Sequence, residues 1–259
     1  MGCACSTDRQ IDESWDDFPL KEDGWVMSHE ALRKNMREFK EVLEVINGVA
    51  NDSKNAENPE LGWMTSNIAE WYPFFHKLVH AHHDHEEETF FPFVKERVEL
   101  PPRFSADHNG LIEALDKCGK MVEELQKASQ EVKSSPLQDV EALQKEFINF
   151  CDMMEEHFKE EEKCIPLVRE KFKPSEMHKL EKDKIIPTLQ WYDTGNHIAP
   201  LDDTGKTKWM SEQGIPWVIQ KLVIWPQVRK YNSKVQNLLD EIRVPEKREQ
   251  KTEKIAAKK

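Results

Sequence analysis

The sequence predicts an all-α protein in which four long amphipathic helices form an up-down-up-down bundle, followed by a helical C-terminal extension. Glycine and tyrosine are scarce, with 9 and 3 residues in a chain of 259, a composition that favours helix. Four long segments carry apolar side chains at the three- and four-residue spacing of a helix. Because short loops join these segments, neighbouring helices are expected to run antiparallel.

The first two predicted helices are bounded by residues that stop or kink a helix. The first covers about 25–46, and the Asn-Gly pair at 47–48 is expected to end it. The second covers about 63–98. Pro73 is a candidate for its effective start, and Pro92 should kink or end its main part.

The third and fourth predicted helices each begin at a serine. Ser105 is a plausible N-cap for the third. The fourth begins at Ser135-Pro136, where Gln138 completes a capping box, and it continues toward Pro166.

These boundaries divide the chain into four parts. Residues 1–24 form a flexible N-terminal segment, and residues 25–172 form the bundle. Residues 173–243 form a helical extension whose tryptophans are expected to pack it onto the bundle, and the polar tail 244–259 is expected to be frayed. The tryptophans in question are Trp209, Trp217 and Trp225.

Charge and composition exclude several classes of protein. The net charge of -12 argues against nucleic acid, which requires a concentrated basic surface. No run of eighteen apolar residues and no secretory signal is seen, so the expected location is intracellular. Cys118, Cys151 and Cys164 fall on apolar helical positions and are expected to be packing residues, with Cys164 near the metal end.

The first six residues, MGCACS, match the N-myristoylation pattern, with Gly2 as the acceptor. One acyl chain binds a membrane only marginally, and palmitoylation of Cys3 or Cys5 would provide the second signal. The acidic residues at 12–23 would oppose an anionic leaflet. The predicted location is therefore the cytoplasmic face of a membrane, through lipid at Gly2, Cys3 and Cys5.

A histidine and glutamate pattern occurs twice. Residues 83–92 align without gaps on residues 157–166, and both copies read H-x-x-x-E-x-x-x-x-P. Residues four apart lie on one face of a helix, so the inward pairs are predicted to be His83 with Glu87 and His157 with Glu161. His82 with Glu86 is the competing pair in the first copy, because only one of the two pairs can face inward.

The other two helices each contribute one inward histidine near their start, His29 and His108. In an up-down-up-down bundle these meet the ends of the second and fourth helices, so all four histidines lie at one level. Buried carboxylates need a cationic partner, and imidazoles with bridging carboxylates are the ligands of a non-haem diiron centre, with zinc or manganese less favoured. Asp84 and His80 are candidates for a further ligand.

With a histidine on each of four helices and H-x-x-x-E on the second and fourth, the chain resembles a hemerythrin-like (HHE) domain over about residues 25–172. The resemblance implies that two iron ions are held by four histidines as terminal ligands and by Glu87 and Glu161 as bridges. Oxygen-carrying hemerythrins use a fifth histidine one turn from that of the third helix, where this chain has Phe104 and Ile112. The expected terminal ligands are His29, His83, His108 and His157.

The function expected from these features is sensing of, or reaction with, oxygen, nitric oxide, peroxide or iron at a membrane surface. Two alternatives stay open. One is a peroxidase, ferroxidase or iron store at the same centre, and the other is a membrane-tethered scaffold with a structural metal or none, whose extension binds a protein partner.

Overall fold

The computed structural model describes residues 14–20, 23–52, 59–130 and 137–257. All regular secondary structure in these ranges is helical, which confirms the all-α prediction. Gly2, Cys3 and Cys5, and the proposed cap at Ser135-Pro136, lie outside the described residues. The first five α-helices are α1 (Gly24–Asp52), α2 (Pro59–His85), α3 (Phe91–Val94), α4 (Arg103–Gln130) and α5 (Leu137–Glu162).

The four long helices α1, α2, α4 and α5 share one apolar core. Helix α1 packs against α2 and α5, and α4 packs against the same two helices. Each large apolar side chain buried in such a core contributes about 1.5–3 kcal/mol of transfer free energy. The largest of these side chains, all essentially without solvent contact, include Phe39, Phe75, Phe147, Phe150 and Trp71.

Two predicted helix boundaries lie inside helices. Helix α1 continues past the predicted stop at Asn47 to Asp52, and Asn47 donates a side-chain hydrogen bond to Gln144 Oε1 at 2.8 Å. Pro73, the candidate start of the second helix, lies inside α2 with its ring exposed. Tertiary packing of the apolar face therefore outweighs the local boundary signals at both positions.

The second predicted helix changes its pitch before Pro92. Helix α2 ends at His85, and residues Glu86–Phe90 form one π-helical turn in which the N–H of Phe91 donates to the carbonyl of Glu86. Helix α3 follows without a break and has Pro92 in its first turn. A π-helical turn holds one residue more than the α-helical turn it replaces, and it rotates the faces that flank it.

The C-terminal extension packs on one side of this core. Its helices α8 and α12 contact α1, and α12 also contacts α2. Buried Asn196 accepts hydrogen bonds from Asn35 Nδ2 at 2.5 Å and from the Tyr231 hydroxyl at 3.0 Å. The helices are α6 (Ile165–Lys171), α7 (Pro174–Leu180), α8 (Trp191–His197), α9 (Asp203–Glu212), α10 (Trp217–Ile219), α11 (Trp225–Tyr231), α12 (Asn237–Arg243) and α13 (Pro245–Ala256).

The polar tail is helical, contrary to prediction. Helix α13 is tied to α12 by an ion pair of Lys247 with Asp240 at 3.0 Å and one of Lys251 with Glu241 at 2.8 Å. The Thr252 hydroxyl also donates to Glu60 on α2 at 2.8 Å. Each contact is worth little by itself, but together they order a segment whose composition alone predicts fraying.

The segment before α1 is also packed where it is described. A 3-10 turn at Trp15–Asp17 places the Trp15 indole 2.7 Å from the Phe172 carbonyl, to which its N–H donates. The guanidinium of Arg169 lies over the same ring at 4.5 Å. The expected flexibility of residues 1–24 is therefore wrong for this part.

The tryptophans of the extension differ in their surroundings. Trp209 and Trp225 are half-buried around a small cluster that includes Met27 of α1, as expected for packing residues. Trp217 is 71% exposed, which is contrary to that expectation. Within the described ranges, no helix combines the length and the apolar character needed to cross a bilayer.

Candidate metal centre

Five histidines and two glutamates converge in the core near the starts of α1 and α4 and the ends of α2 and α5. None is more than 8% exposed. Charged and imidazole side chains are rarely buried to this degree unless they are paired or bind metal. The seven residues are His29 from α1, His82 and His83 from α2, Glu86 from the π-helical turn, His108 from α4, and His157 and Glu161 from α5.

These side chains form two groups that share Glu86, and in each group one ligand atom per residue lies within 4.8 Å of the others. The first group is His29, His82, Glu86 and Glu161, and the second is His83, Glu86, His108 and His157. The seven residues could therefore hold two metal ions side by side.

Each carboxylate directs one oxygen toward each group. Glu86 Oε1 lies 3.2 Å from His82 Nε2 and 3.7 Å from His29 Nε2, while its Oε2 lies 3.4 Å from His108 Nε2. Ligands about 2.0–2.2 Å from one ion stand roughly 3.0–3.6 Å apart. Two of the separations at Glu86 lie in this range and the third, to His29, is about 0.1 Å longer, an arrangement that can hold two ions joined by one carboxylate.

Glu161 has the same arrangement on the opposite helix. Its Oε2 lies 3.3 Å from His29 Nε2, and its Oε1 lies 3.2 Å from His157 Nε2. His157 Nε2 is also 3.1 Å from His108 Nε2, which places two imidazoles of the second group at ligand spacing.

Several buried polar atoms of these residues have no hydrogen-bond partner, as expected for metal ligands. Buried polar atoms in proteins are nearly always hydrogen-bonded, and each exception needs an explanation. Here the unpartnered atoms are concentrated in the centre, and most are the atoms that face the two groups. They include Nε2 of His29 and His82, both ring nitrogens of His83, Glu86 Oε2, and both oxygens of Glu161. Metal ions would satisfy the atoms that face the two groups, including one of the two ring nitrogens of His83.

An acidic side chain outside the centre orients His29. His29 Nδ1 shares a hydrogen bond with Glu162 Oε1 at 2.8 Å, and Arg33 donates to the same oxygen at 2.7 Å. Such a carboxylate–histidine pair fixes the ring and leaves Nε2 free to bind a metal. His108 Nδ1 lies 2.9 Å from Glu87 Oε1 without a hydrogen bond between them.

The buried carboxylates of the centre favour a positive charge beside them. Burial lowers the pKa of His29, but the neighbouring carboxylates of Glu161, Glu162 and Glu86 outweigh it and raise the pKa to about 10. Burial lowers the pKa of the His82 imidazole to about 3, and the nearby Glu86 carboxylate offsets only part of this effect. The buried carboxylates thus keep a proton on His29, in a position where a metal ion would supply the same charge.

The structure corrects the predicted register of the first copy. Glu86 is buried in the centre, whereas the side chain of Glu87 is 39% exposed and lies against the outer nitrogen of His108 and the Ser105 hydroxyl. Pro92 follows Glu86 by six positions, whereas Pro166 follows Glu161 by five. The π-helical turn accommodates the additional residue, so the gapless alignment placed the glutamate one position too late.

The same turn changes the assignment of the histidines. His82 with Glu86 is the pair equivalent to His157 with Glu161, yet His83 is buried as well and belongs to the second group. Five histidines are therefore buried in the centre, one more than the four that the sequence predicted. The sequence contains a sign of this arrangement, the adjacent pair His82-His83. A regular helix allows only one of the two histidines to face inward, whereas the structure buries both.

The remaining candidates lie outside the centre. Asp84 is exposed, and His80 groups with His76 and Asp116 instead. Cys164 packs beside an apolar cluster below the centre and belongs to neither group. His29, His108, His157 and Glu161 lie where the sequence predicted.

A cavity of about 140 Å³ reaches the first group from the side of the extension, with His82 and Glu86 in its wall. Burial keeps two of its ionisable groups neutral, since it raises the pKa of Glu181 to about 8 and lowers the pKa of His197 to about 4. The rest of the lining is largely apolar, and includes Leu32, Leu78, Phe90, Ile186 and Leu189. The cavity therefore favours a small uncharged molecule.

Comparisons of the chain with protein-family models, with curated proteins and with solved structures found no match.

Proposed function

We propose that this chain is a hemerythrin-like protein that holds two iron ions in the core of an up-down-up-down four-helix bundle and binds or reacts with a small uncharged ligand. The observation that carries the proposal is the placement of Glu86 and Glu161, each with one oxygen toward each histidine group. Bridging carboxylates between facing helices characterise dinuclear iron proteins.

The ligand set favours iron over the alternatives. Five imidazoles and two carboxylates provide nitrogen and oxygen donors without a thiolate, which suits iron and, less well, zinc or manganese. Bound iron would supply open coordination positions and a change of oxidation state. The chain itself holds the His29 imidazole in place through Glu162 and excludes bulk water from the centre.

The cavity supports a role in sensing or turnover rather than a purely structural metal. A structural site is closed to outside molecules, whereas here a cavity opens on His82 and Glu86. Its low polarity suits oxygen, nitric oxide or hydrogen peroxide. Peroxidase or ferroxidase activity at the same centre is the second candidate, and the same cavity is the observation that favours it.

Metal analysis of the purified full chain tests the centre. We expect about two irons per chain, with near-complete loss in His83→Ala and in His157→Ala. His85→Ala is the control, because His85 lies in neither group and bonds to Thr188. Zinc in place of iron, or full iron content in both ligand variants, would refute the proposal.

Reactivity separates the two candidate roles. Anaerobically reduced protein should change its optical spectrum on exposure to oxygen or nitric oxide if it senses the ligand. Continuous consumption of peroxide or oxidation of added ferrous iron, lost in His83→Ala, would instead identify an enzyme.

We also propose that acylation at Gly2, supported by Cys3 or Cys5, holds the protein at a membrane. The support is the MGCACS pattern. Gly2→Ala should move the protein from the membrane fraction to the soluble fraction in cells that contain the acyltransferases. Unchanged fractionation would remove this proposal without affecting the metal centre.

A further inference from the structure

A second cluster of metal-binding side chains lies on the outer surface, on α2 and α4. His76 and His80 are one turn apart on α2, with ring centres separated by 4.4 Å. Asp116 of α4 faces them, and its Oδ1 lies 2.6 Å from His76 Nε2. One ligand atom from each of the three residues lies within 4.8 Å of the others, and none of the three belongs to the core centre.

An ordinary surface ion pair accounts for only part of this arrangement. The contact of His76 with Asp116 is such a pair, at 33% and 50% side-chain exposure, and pairs of that kind contribute little. It does not explain His80, whose Nε2 is shielded from solvent and has no hydrogen-bond partner. A shared ion would satisfy that nitrogen.

The donor set indicates the class of ion. Two imidazoles at positions i and i+4 of a helix can bind one ion together. Two nitrogens and one carboxylate oxygen suit zinc and its neighbours in the first transition row rather than magnesium or calcium, which take oxygen ligands. The His76–Asp116 separation would widen from 2.6 Å to about 3.3 Å to admit the ion.

We propose that His76, His80 and Asp116 form an independent surface site for a divalent transition metal of the zinc class. Three protein ligands leave one position for water or for an incoming ligand. Exposure of His76 and Asp116 makes this ion exchangeable with solution, in contrast to the buried centre. The site does not depend on the identity of the metal in the core.

Zinc and cobalt titrations of the full chain test this site, after the metal content of each preparation has been measured. His76→Ala/His80→Ala should bind about one zinc fewer per chain than wild type, with its core metal unchanged. Asp116→Asn, which preserves the shape of the side chain, should weaken zinc binding at least tenfold. In wild type, cobalt should give the visible absorption of a low-coordinate site, and the double variant should lack it.

Two control variants carry changes on the same helices. Lys77→Ala and Glu113→Gln alter exposed residues that lie outside the cluster, and both should bind zinc as wild type does. Equal zinc binding by wild type and His76→Ala/His80→Ala would overturn the proposal. A comparable loss in either control would overturn it too, because binding would then not depend on the three residues.

A different observation concerns the surface of the extension around α10. Five consecutive or nearly consecutive apolar side chains are exposed there, with Trp217 at 71% and Leu222 at 69%. Soluble surfaces seldom present such a patch without a partner. The others are Val218, Ile219 and Val223.

The segment that carries these apolar side chains is positively charged, which favours an anionic partner. Residues 213–239 contain four basic residues and no acidic residue, although the chain as a whole carries a net charge of -12. Lys221, Arg229 and Lys230 of this segment are exposed. Apolar and tryptophan side chains beside basic ones are typical of helices that lie in the interface of an anionic membrane.

We infer that the face of Trp217 and Leu222 docks on an anionic lipid surface, independently of acylation. Unacylated full-length protein should sediment with phosphatidylcholine vesicles that contain about 30% phosphatidylserine, and less with phosphatidylcholine alone. Trp217→Ser/Leu222→Ser should reduce the bound fraction at least tenfold. Ile148→Ser/Leu167→Ser removes two apolar side chains of 43% and 42% exposure elsewhere and should bind as wild type does.

Three outcomes would overturn this inference. The first is the absence of vesicle binding by wild type, and the second is equal binding by the Trp217→Ser/Leu222→Ser variant. The third is a wild-type dimer that the same substitutions dissociate without any vesicle binding, since the face would then be covered by a second copy of the chain.

Discussion

Substitutions of three consecutive glutamates, Glu86, Glu87 and Glu88, should differ sharply in their effect on metal binding. Glu86 is buried between both histidine groups, Glu87 contacts the outer nitrogen of His108, and Glu88 is exposed. Replacement of each by Gln preserves size and removes one negative charge. The series therefore compares three chemically identical changes at adjacent positions.

The expected magnitudes follow from these positions. One pair of unit charges about 4 Å apart at an effective dielectric constant near 20 interacts by about 4 kcal/mol, which is about three orders of magnitude in affinity. Glu86→Gln should therefore weaken metal binding at least ~1,000-fold. Glu87→Gln removes a partly exposed outer partner of His108, so the loss should be about tenfold. Glu88→Gln should have no effect.

Competition of each variant against a chromophoric chelator gives the three affinities. Thermal unfolding of the metal-free proteins serves as the control. The indole N–H of Trp25 donates to Glu86 Oε1 at 2.7 Å, and it can donate in the same way to the amide oxygen that Glu86→Gln introduces. If Glu87→Gln shows the largest loss and Glu86→Gln retains tight binding, the π-helical register described above is refuted.

Three further changes test the surroundings of the centre. Glu162→Gln weakens the 2.8 Å hydrogen bond to His29 and should lower metal affinity about 10–100-fold in the same chelator assay; an unchanged affinity would contradict the orienting role. Asn196→Ala leaves the Tyr231 hydroxyl without its closest buried acceptor and should lower the free energy of unfolding by about 1–3 kcal/mol in urea titrations. Burial lowers the pKa of His197 to about 4, so unfolding, which restores a pKa of about 6.5, becomes easier as pH falls from 6.5 toward 4. His197→Gln should reduce that decline by about 1–2 kcal/mol after allowance for partial exposure, and a parallel decline in both proteins would contradict it.

The histidines on α1, α4 and α5 could be predicted because they lie on regular helices. His29, His108 and His157 each lie on the same helix face as buried apolar residues. Glu161 follows His157 by four positions and therefore lies on the same face of α5. Residues four apart share a face only as long as the helix keeps 3.6 residues per turn.

The first copy of the pattern could not be predicted in the same way. The π-helical turn after His85 breaks the periodicity, so Glu86 faces inward in place of Glu87 while His82 and His83 are both buried. A single added residue has no signature in composition or hydropathy. It becomes visible only in the different distance from the buried glutamate to the following proline.

The sequence by itself determined the all-helical class and the histidine and glutamate residues from which a metal centre can be built, since both depend on helical periodicity within single segments. Only the tertiary structure decided that Glu86 is shared by both groups, that α13 is ordered, and that the extension closes a cavity over the centre. These features depend on contacts between residues far apart in the chain, and a local pattern carries no information about such partners.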